Sequence, residues 1–122
     1  MATILFVDDD IQALELMKKQ AEMLNQQAYS CSNANQVAAL TTQLKPDLIL
    51  MDINMNDCNG FELVKILRKQ PETRKTPILM LSASDATVDG PKATLVGANG
   101  FLSKPLNFRE LSRAIQQYTI YV

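Results

Sequence analysis

The sequence contains no histidine and only two cysteines, Cys31 and Cys58. The cysteines are not arranged as a CxxC pair, and no histidine is present to complete a zinc site of the usual composition. We therefore expect two reduced, structural thiols in a reducing compartment, with neither a disulfide nor a redox role.

The chain also lacks an excess of charge and any long apolar run. The sequence has 12 Lys and Arg residues and 13 Asp and Glu residues, so its formal net charge is −1. Because the basic residues are scattered, no patch can neutralise a row of phosphates, so we expect no nucleic-acid binding. No run is long enough for a membrane span, and the first residues do not resemble a secretory signal. A cytoplasmic location without membrane contact is expected.

Linkers, internal repeats and low-complexity segments are absent as well. The 122 residues, 47% of them hydrophobic, suit one domain over residues 1–122 with a single core. Short apolar runs alternate with amphipathic segments, which predicts an α/β fold with a doubly wound five-stranded parallel sheet and helices on both faces. The predicted strands are residues 4–7, 28–32, 48–51, 78–81 and 100–102.

Several helix ends are marked by their residues. An aspartate opens the first helix, Pro46 ends the second, and Gly60 opens the third. Asn107 and Glu110 form a start resembling a capping box for the last helix. The segment 85–97 is the poorest helix, because Gly90-Pro91 interrupts it, and we expect it to begin late or to move.

Polar residues follow the ends of four of the predicted strands. They are Asp8, Asp9 and Asp10, then Asp52, then Ser82, then Ser103, Lys104 and Pro105. The carboxyl ends of parallel strands lie at one edge of such a sheet, so these groups are predicted to converge there. Clustered carboxylates raise one another's pKa and are costly without a cation, and oxygen ligands suit Mg²⁺.

Phosphoryl transfer onto a carboxylate fits this set of residues. Asp52 would be the nucleophile, and Asp8 and Asp9 would hold the metal. Ser82 and Lys104 would each contact one phosphoryl oxygen, so that the developing charge is stabilised by fixed groups. Each residue alone has an ordinary structural explanation, such as a helix cap or a strand end. Their occurrence at the ends of separate strands favours the chemical interpretation.

The segments ILFVDDD, LILMDINMNDCNG, PILMLSAS and GFLSKPL together resemble the receiver domain of response regulators in two-component signalling, including chemotaxis regulators. The resemblance implies a flavodoxin-like (βα)5 fold with strand order 2-1-3-4-5 and phosphoryl transfer to Asp52 from a histidine kinase or histidine phosphotransfer protein. It also implies that Asp9 binds Mg²⁺ directly, that Asp8 assists through water, and that Asp52 and the backbone carbonyl of Asn54 complete the metal site.

The resemblance further implies a conformational switch. The hydroxyl of Ser82 would move toward the phosphoryl group while the aromatic ring of Phe101 turns inward. The fourth helix, fifth strand and fifth helix would then bind a downstream protein partner. The Lys104-Pro105 peptide bond would be cis.

The sequence departs from the family pattern near the site. Asn56 stands where proline is common and Asn59 where aspartate is common, and we expect both to loosen or reshape the loop after Asp52 without removing a chemical group. Ser82 stands where threonine is common and keeps the hydroxyl. Asn54 and Ser84 occupy positions that tune hydrolysis, and neither shields the phosphoryl group well. A moderately short-lived phosphoryl state is expected.

Other functions remain as alternatives. A receiver-like docking module that works without phosphorylation would have the same fold, although none of the site residues is lost. A phosphatase with an aspartyl nucleophile would need a second aspartate at position 54, where this chain has Asn54. A flavin-binding protein would not place DDDIQA beside a phosphate. The domain would catalyse its own phosphorylation and dephosphorylation without turning over a metabolite, so its status as an enzyme stays open, as does whether it is a stand-alone protein or part of a longer one.

Overall fold

The computed structural model describes residues 1–56, 58–83 and 86–119, and of residues 86–88 only the backbone. The described residues form a five-stranded sheet in which every neighbouring pair is parallel. Its strands are β1 (Thr3–Val7), β2 (Gln27–Cys31), β3 (Leu48–Asp52), β4 (Ile78–Ser82) and β5 (Gly100–Ser103). They lie in the order 2-1-3-4-5, which confirms the predicted doubly wound architecture.

Five helices cover the two faces of this sheet. They are α1 (Ile11–Met23), α2 (Ala34–Leu44), α3 (Gly60–Lys69), α4 (Ala86–Val96) and α5 (Phe108–Thr119). Side chains that alternate along β1 divide between two apolar clusters: Leu5 packs with residues of α2, α3 and α4, and Phe6 packs with residues of α1 and α5. Strands β3 and β4 are buried along their whole length, as expected for central strands of a parallel sheet.

Most of the predicted helix ends are confirmed. The side chain of Asp10 caps α1 by accepting hydrogen bonds from the backbone N–H groups of Gln12 and Ala13. Helix α2 ends at Leu44, two residues before Pro46. At the start of α5, the Glu110 backbone N–H donates to Asn107 Oδ1 at 2.8 Å, and Asn107 Nδ2 donates to Glu110 Oε1 at 2.6 Å.

Of the two expectations for the fourth helix, a late start or movement, the late start is wrong and the movement stays a prediction. Helix α4 begins at Ala86 and continues through Pro91 to Val96. A proline inside a helix removes one backbone donor, and glycine adds a further cost. Ala93 is buried in the apolar cluster that α4 shares with the sheet, so tertiary packing outweighs the low helix propensity of this segment.

Arg68 on α3 connects the segments that lead into β4 and β5. Its guanidinium donates to the carbonyl oxygens of Thr73 at 2.8 Å, Thr76 at 2.7 Å and Gly97 at 2.9 Å. It also donates to Asn99 Oδ1 at 3.0 Å, an atom that accepts the first N–H of β4 as well. Burial lowers the pKa of this guanidinium. The contacts position the beginning of the two strands whose other ends carry Ser82 and Lys104.

Arg68→Lys should lower the free energy of unfolding by about 1–2 kcal/mol, because one ammonium cannot reach carbonyls in both segments as the planar guanidinium does. Urea unfolding would measure the change. The matched control is Arg109→Lys, at an exposed position on α5, which should unfold like the parent protein. If both variants were equally stable, lysine at position 68 would replace the stabilising contacts of Arg68 in full.

Over the ranges that the structure describes, none of the helices combines the length and apolar character that crossing a bilayer requires.

Candidate functional site

The polar residues that follow the strands meet at one edge of the sheet. Asp8 directly follows β1, Asp52 ends β3, Ser82 ends β4, and Lys104 directly follows β5. Because the four strands are parallel neighbours, their carboxyl ends point the same way. The sheet therefore supports a cluster of acidic, hydroxyl and basic groups taken from distant parts of the chain.

Three carboxylates lie close enough to share one cation. One oxygen from each of Asp8, Asp9 and Asp52 lies within 4.8 Å of the others. Asp8 is 0% exposed and Asp52 is 6% exposed, while Asp9 is half-buried. Hard oxygen donors in a partly buried cluster are the ligand set that suits Mg²⁺. The residues present thus fit the predicted metal.

Lys104 supplies positive charge to the same cluster. Its Nζ donates to Asp8 Oδ2 at 2.7 Å and lies 3.6 Å from Asp52 Oδ1. Burial by itself would lower the pKa of Lys104, but the hydrogen bond and the charges of the two carboxylates outweigh it and raise that pKa. The lysine therefore remains an ammonium and holds Asp8 and Asp52 together.

The pKa of the Asp52 carboxyl group is raised in the folded protein. Burial raises its pKa above the usual 3.8, and the negative charges of Asp8 and Asp9 raise it further. The charge of Lys104 and a hydrogen bond from the backbone N–H of Asn54 act in the opposite direction without cancelling the rise. Ionised Asp52 is therefore electrostatically unfavourable in the folded protein without a cation.

Asp52→Asn should raise the melting temperature of the metal-free protein at neutral pH. Since the folded state binds the Asp52 proton more tightly than the unfolded chain does, ionisation of this group opposes folding. The destabilisation is absent below pH 3.8 and develops as the pH rises through the raised pKa. Thermal unfolding in EDTA across this pH range should show a difference between variant and parent that vanishes in acid. A variant that is less stable at neutral pH would contradict the electrostatic cause.

The loop after β3 contains two short strands, Asn54–Met55 and Cys58–Asn59, which pair antiparallel outside the main sheet. The backbone N–H of Asn56 donates to Asp9 Oδ2 at 2.8 Å. A proline at position 56 could not make this bond. The side chain of Asn59 caps α3 by accepting from the Phe61 N–H at 2.8 Å. The two asparagines thus fix the loop against Asp9 and α3.

The remaining predicted residues are placed as follows. The side chain of Asp10 caps α1, and its backbone N–H donates to Asp8 Oδ1 at 3.0 Å. Phe101 on β5 is half-buried against the apolar cluster. The Lys104-Pro105 peptide bond is cis, as predicted. Ser84 lies outside the described residues, so its predicted role in hydrolysis stays a prediction.

Sequence reasoning also missed a contact of Ser82. The Ser82 hydroxyl is buried and donates a hydrogen bond to the carboxylate of Asp89 on α4. Asp89 lies in a segment of low helix propensity, where an acidic residue has no feature that separates it from an ordinary surface residue. Only the position of α4 against β4 brings the two side chains together.

Comparison with known proteins finds a protein family that matches this chain. Residues 4–116 match the family model described as the response regulator receiver domain. The protein PilH of Pseudomonas aeruginosa is 33% identical over 115 residues, which cover 94% of this chain and 95% of PilH. The chain spans about half the length of several other curated relatives, which are 34% identical to it.

Solved structures agree with this match. The chemotaxis response regulator CheY4 of Vibrio cholerae superimposes with a TM-score of 0.89 at 30% identity, covering 97% of this chain and 98% of CheY4. The receiver domain of the sensor histidine kinase PA1611 from Pseudomonas aeruginosa PAO1 has a TM-score of 0.87 at 25% identity, covering 96% of each chain. That receiver domain carries a magnesium ion in its active-site cleft.

Proposed function

This chain belongs to the response regulator receiver family, and from that membership we propose that it accepts a phosphoryl group on Asp52 from a histidine kinase or a histidine phosphotransfer protein. The observation that carries the proposal is the position of the buried Asp52 carboxylate between the acidic residues Asp8 and Asp9 and the Lys104 ammonium. The negative charges of Asp8 and Asp9 make ionised Asp52 costly, and a bound cation would offset that cost.

In the proposed reaction, a carboxylate oxygen of Asp52 forms a bond to phosphorus. The bond from phosphorus to the donor nitrogen breaks at the same time, and its electron pair stays on the donor imidazole. With a proton on the other ring nitrogen of the phosphohistidine, the products are an acyl phosphate on Asp52 and a neutral histidine on the partner. With a small donor such as acetyl phosphate, the pair stays on the acetate oxygen instead.

Asp8, Asp9, Asp52 and the backbone carbonyl of Asn54 are the proposed ligands of Mg²⁺, with Asp8 assisting through water. When bound, Mg²⁺ supplies positive charge beside a phosphoryl oxygen. Lys104 already lies 3.6 Å from Asp52 Oδ1 and would pair with a second oxygen, and Ser82 would donate to a third. Asp52 and Lys104 already lie side by side, whereas the Ser82 hydroxyl would first have to turn away from Asp89.

The proposed output is a changed protein-binding surface formed by α4, β5 and α5. Movements of Ser82 and Phe101 on phosphorylation of Asp52 would change this surface, and a downstream protein would bind the changed surface. Asn54 and Ser84 would set how quickly water removes the phosphoryl group. We infer a cytoplasmic site of action and no direct contact of this domain with nucleic acid or membrane.

Intact mass spectrometry after incubation with acetyl phosphate and Mg²⁺ tests the proposal. One added phosphoryl group is expected on the parent protein, with none on Asp52→Asn and none in EDTA. Asp47→Asn is the matched control, because Asp47 accepts from the Thr3 N–H at the opposite edge of the sheet, and it should be modified like the parent. No adduct on the parent, together with no binding of beryllofluoride, would support the phosphorylation-independent docking module instead.

A further inference from the structure

The Ser82 hydroxyl is engaged by an acidic residue of α4. Asp89 is only 8% exposed, and its carboxylate accepts the hydrogen bond that Ser82 Oγ donates. Ser82 itself is 1% exposed. A carboxylate buried inside a domain is costly unless polar groups satisfy it, so this contact is part of what allows Asp89 to point inward.

A serine hydroxyl has one proton and can donate it to one acceptor at a time. While that proton is donated to Asp89, it is not available to an oxygen of a phosphoryl group on Asp52. Both acceptors are anionic, so the two hydrogen bonds are similar in kind and compete directly.

We propose that Asp89 is a positioning residue that holds the Ser82 hydroxyl toward α4 in the unphosphorylated protein and competes with the phosphoryl group for its proton. The inference rests on the proposed function, since it concerns the same phosphoryl site. Asp89 does not touch the reacting atoms and acts only through Ser82.

Release of Ser82 has a consequence for α4. When Ser82 turns to the phosphoryl group, the buried Asp89 carboxylate loses the hydrogen bond from the Ser82 hydroxyl. Water could replace that hydrogen bond, so conformations that expose this turn of α4 become more favourable. The next residue, Gly90, lies against Phe101: a Cβ built on Gly90 would be 3.3 Å from Phe101 Cε1. Consecutive residues of α4 therefore contact the side chains of Ser82 and Phe101, and a shift of this turn affects both.

Beryllofluoride binding in the presence of Mg²⁺, measured by calorimetry, tests the proposal because it requires no phosphodonor. Asp89→Ala should bind beryllofluoride about tenfold more tightly than the parent, since a charge-assisted hydrogen bond no longer has to be broken. Asp89→Asn keeps an acceptor without the charge and should lie between the two. Glu62→Ala, at an exposed position on α3, is the control and should bind like the parent.

The same pair of measurements in a Ser82→Ala background separates positioning from a general structural effect. If Asp89 acts through the Ser82 hydroxyl, Asp89→Ala should change the affinity of the Ser82→Ala protein by less than twofold. A gain of the same size in both backgrounds would overturn the proposal. Should Asp89→Ala not fold, the isosteric Asp89→Asn variant decides the question by the same comparison.

The outcomes for the two proposals are distinct. If the parent protein takes up neither a phosphoryl group nor beryllofluoride, the proposed function itself fails. If the parent binds beryllofluoride but Asp89→Ala and Asp89→Asn bind it with the same affinity as the parent, only the role of Asp89 is wrong.

Discussion

Gly60→Ala should destabilise the domain by about 3 kcal/mol or more, because the added methyl group would overlap the backbone of β3 and the residue after it. A Cβ at Gly60 would lie 2.4 Å from the carbonyl oxygen of Asp52 and 2.9 Å from the Cα of Ile53. Both are backbone atoms at the end of a central strand, so neither can turn aside as a side chain would. The measurement is urea unfolding in EDTA.

The close approach at Gly60 lies where the start of α3 meets the end of β3, next to the site. Gly60 begins α3, and its N–H donates to the Ile53 carbonyl at 2.6 Å, which holds the start of the helix against the end of β3. Displacing α3 would also move the loop that contacts Asp9. We therefore expect Gly60→Ala to weaken binding of Mg²⁺ in whatever fraction still folds.

Gly100→Ala is the matched control. A Cβ there would meet only side-chain atoms, Leu79 Cδ2 at 3.3 Å and Tyr118 Oη at 3.5 Å, which can adjust by a few tenths of an ångström. Its stability should stay within about 1 kcal/mol of the parent. If both alanine variants were equally stable, the backbone around Gly60 would be able to move away from a Cβ atom at little cost in free energy, and the predicted clash would be wrong.

Lys104→Met should lower the stability of the metal-free protein by about 2 kcal/mol. Removing one partner of a fully buried ion pair costs about 3–5 kcal/mol, and the side chain of Lys104 keeps 23% exposure, which reduces the effect. The loss arises at Asp8, which is 0% exposed and would lose its ammonium donor. Thermal or urea unfolding in EDTA measures it.

Mg²⁺ distinguishes this electrostatic cause from lost packing. The metal supplies positive charge to the same carboxylates, so Mg²⁺ should stabilise Lys104→Met more than it stabilises the parent, and the variant should bind the metal more tightly. Lys65→Met, on the exposed face of α3, serves as the control and should respond to Mg²⁺ like the parent. An equal gain in both variants would mean that Lys104 and the metal do not share the same negative charge.

Much of the fold followed from local patterns. The sequence pattern located all five strands to within one residue at either end. Apolar runs mark β1, β3 and β4, because central strands of a parallel sheet are buried on both faces, while β2 mixes polar and apolar residues as an edge strand does. Pro46 and Asn107 marked helix ends for reasons that do not depend on the rest of the protein. The predicted late start failed for α4, where Gly90 and Pro91 disfavour a helix locally but the packing of Ala93 outweighs them.

The carboxylate cluster was predictable for a different reason. Once the strands are parallel, the residues that follow them must share one edge, so Asp8, Asp52 and Lys104 could be grouped without coordinates.

The positions of the strands and the residues at the site's edge follow from the sequence, since strand ends and apolar periodicity are encoded within a few neighbouring positions, while the strand order was implied by the family resemblance. The contacts between groups on different elements depend on the folded arrangement. Asn56 donating to Asp9, Ser82 donating to Asp89, and Gly60 pressed against the Asp52 carbonyl each depend on how a helix or loop is seated on the sheet. Hydrogen bonds and steric contacts are short-ranged, and a shift of a single ångström makes or removes them, so no pattern along the chain records them.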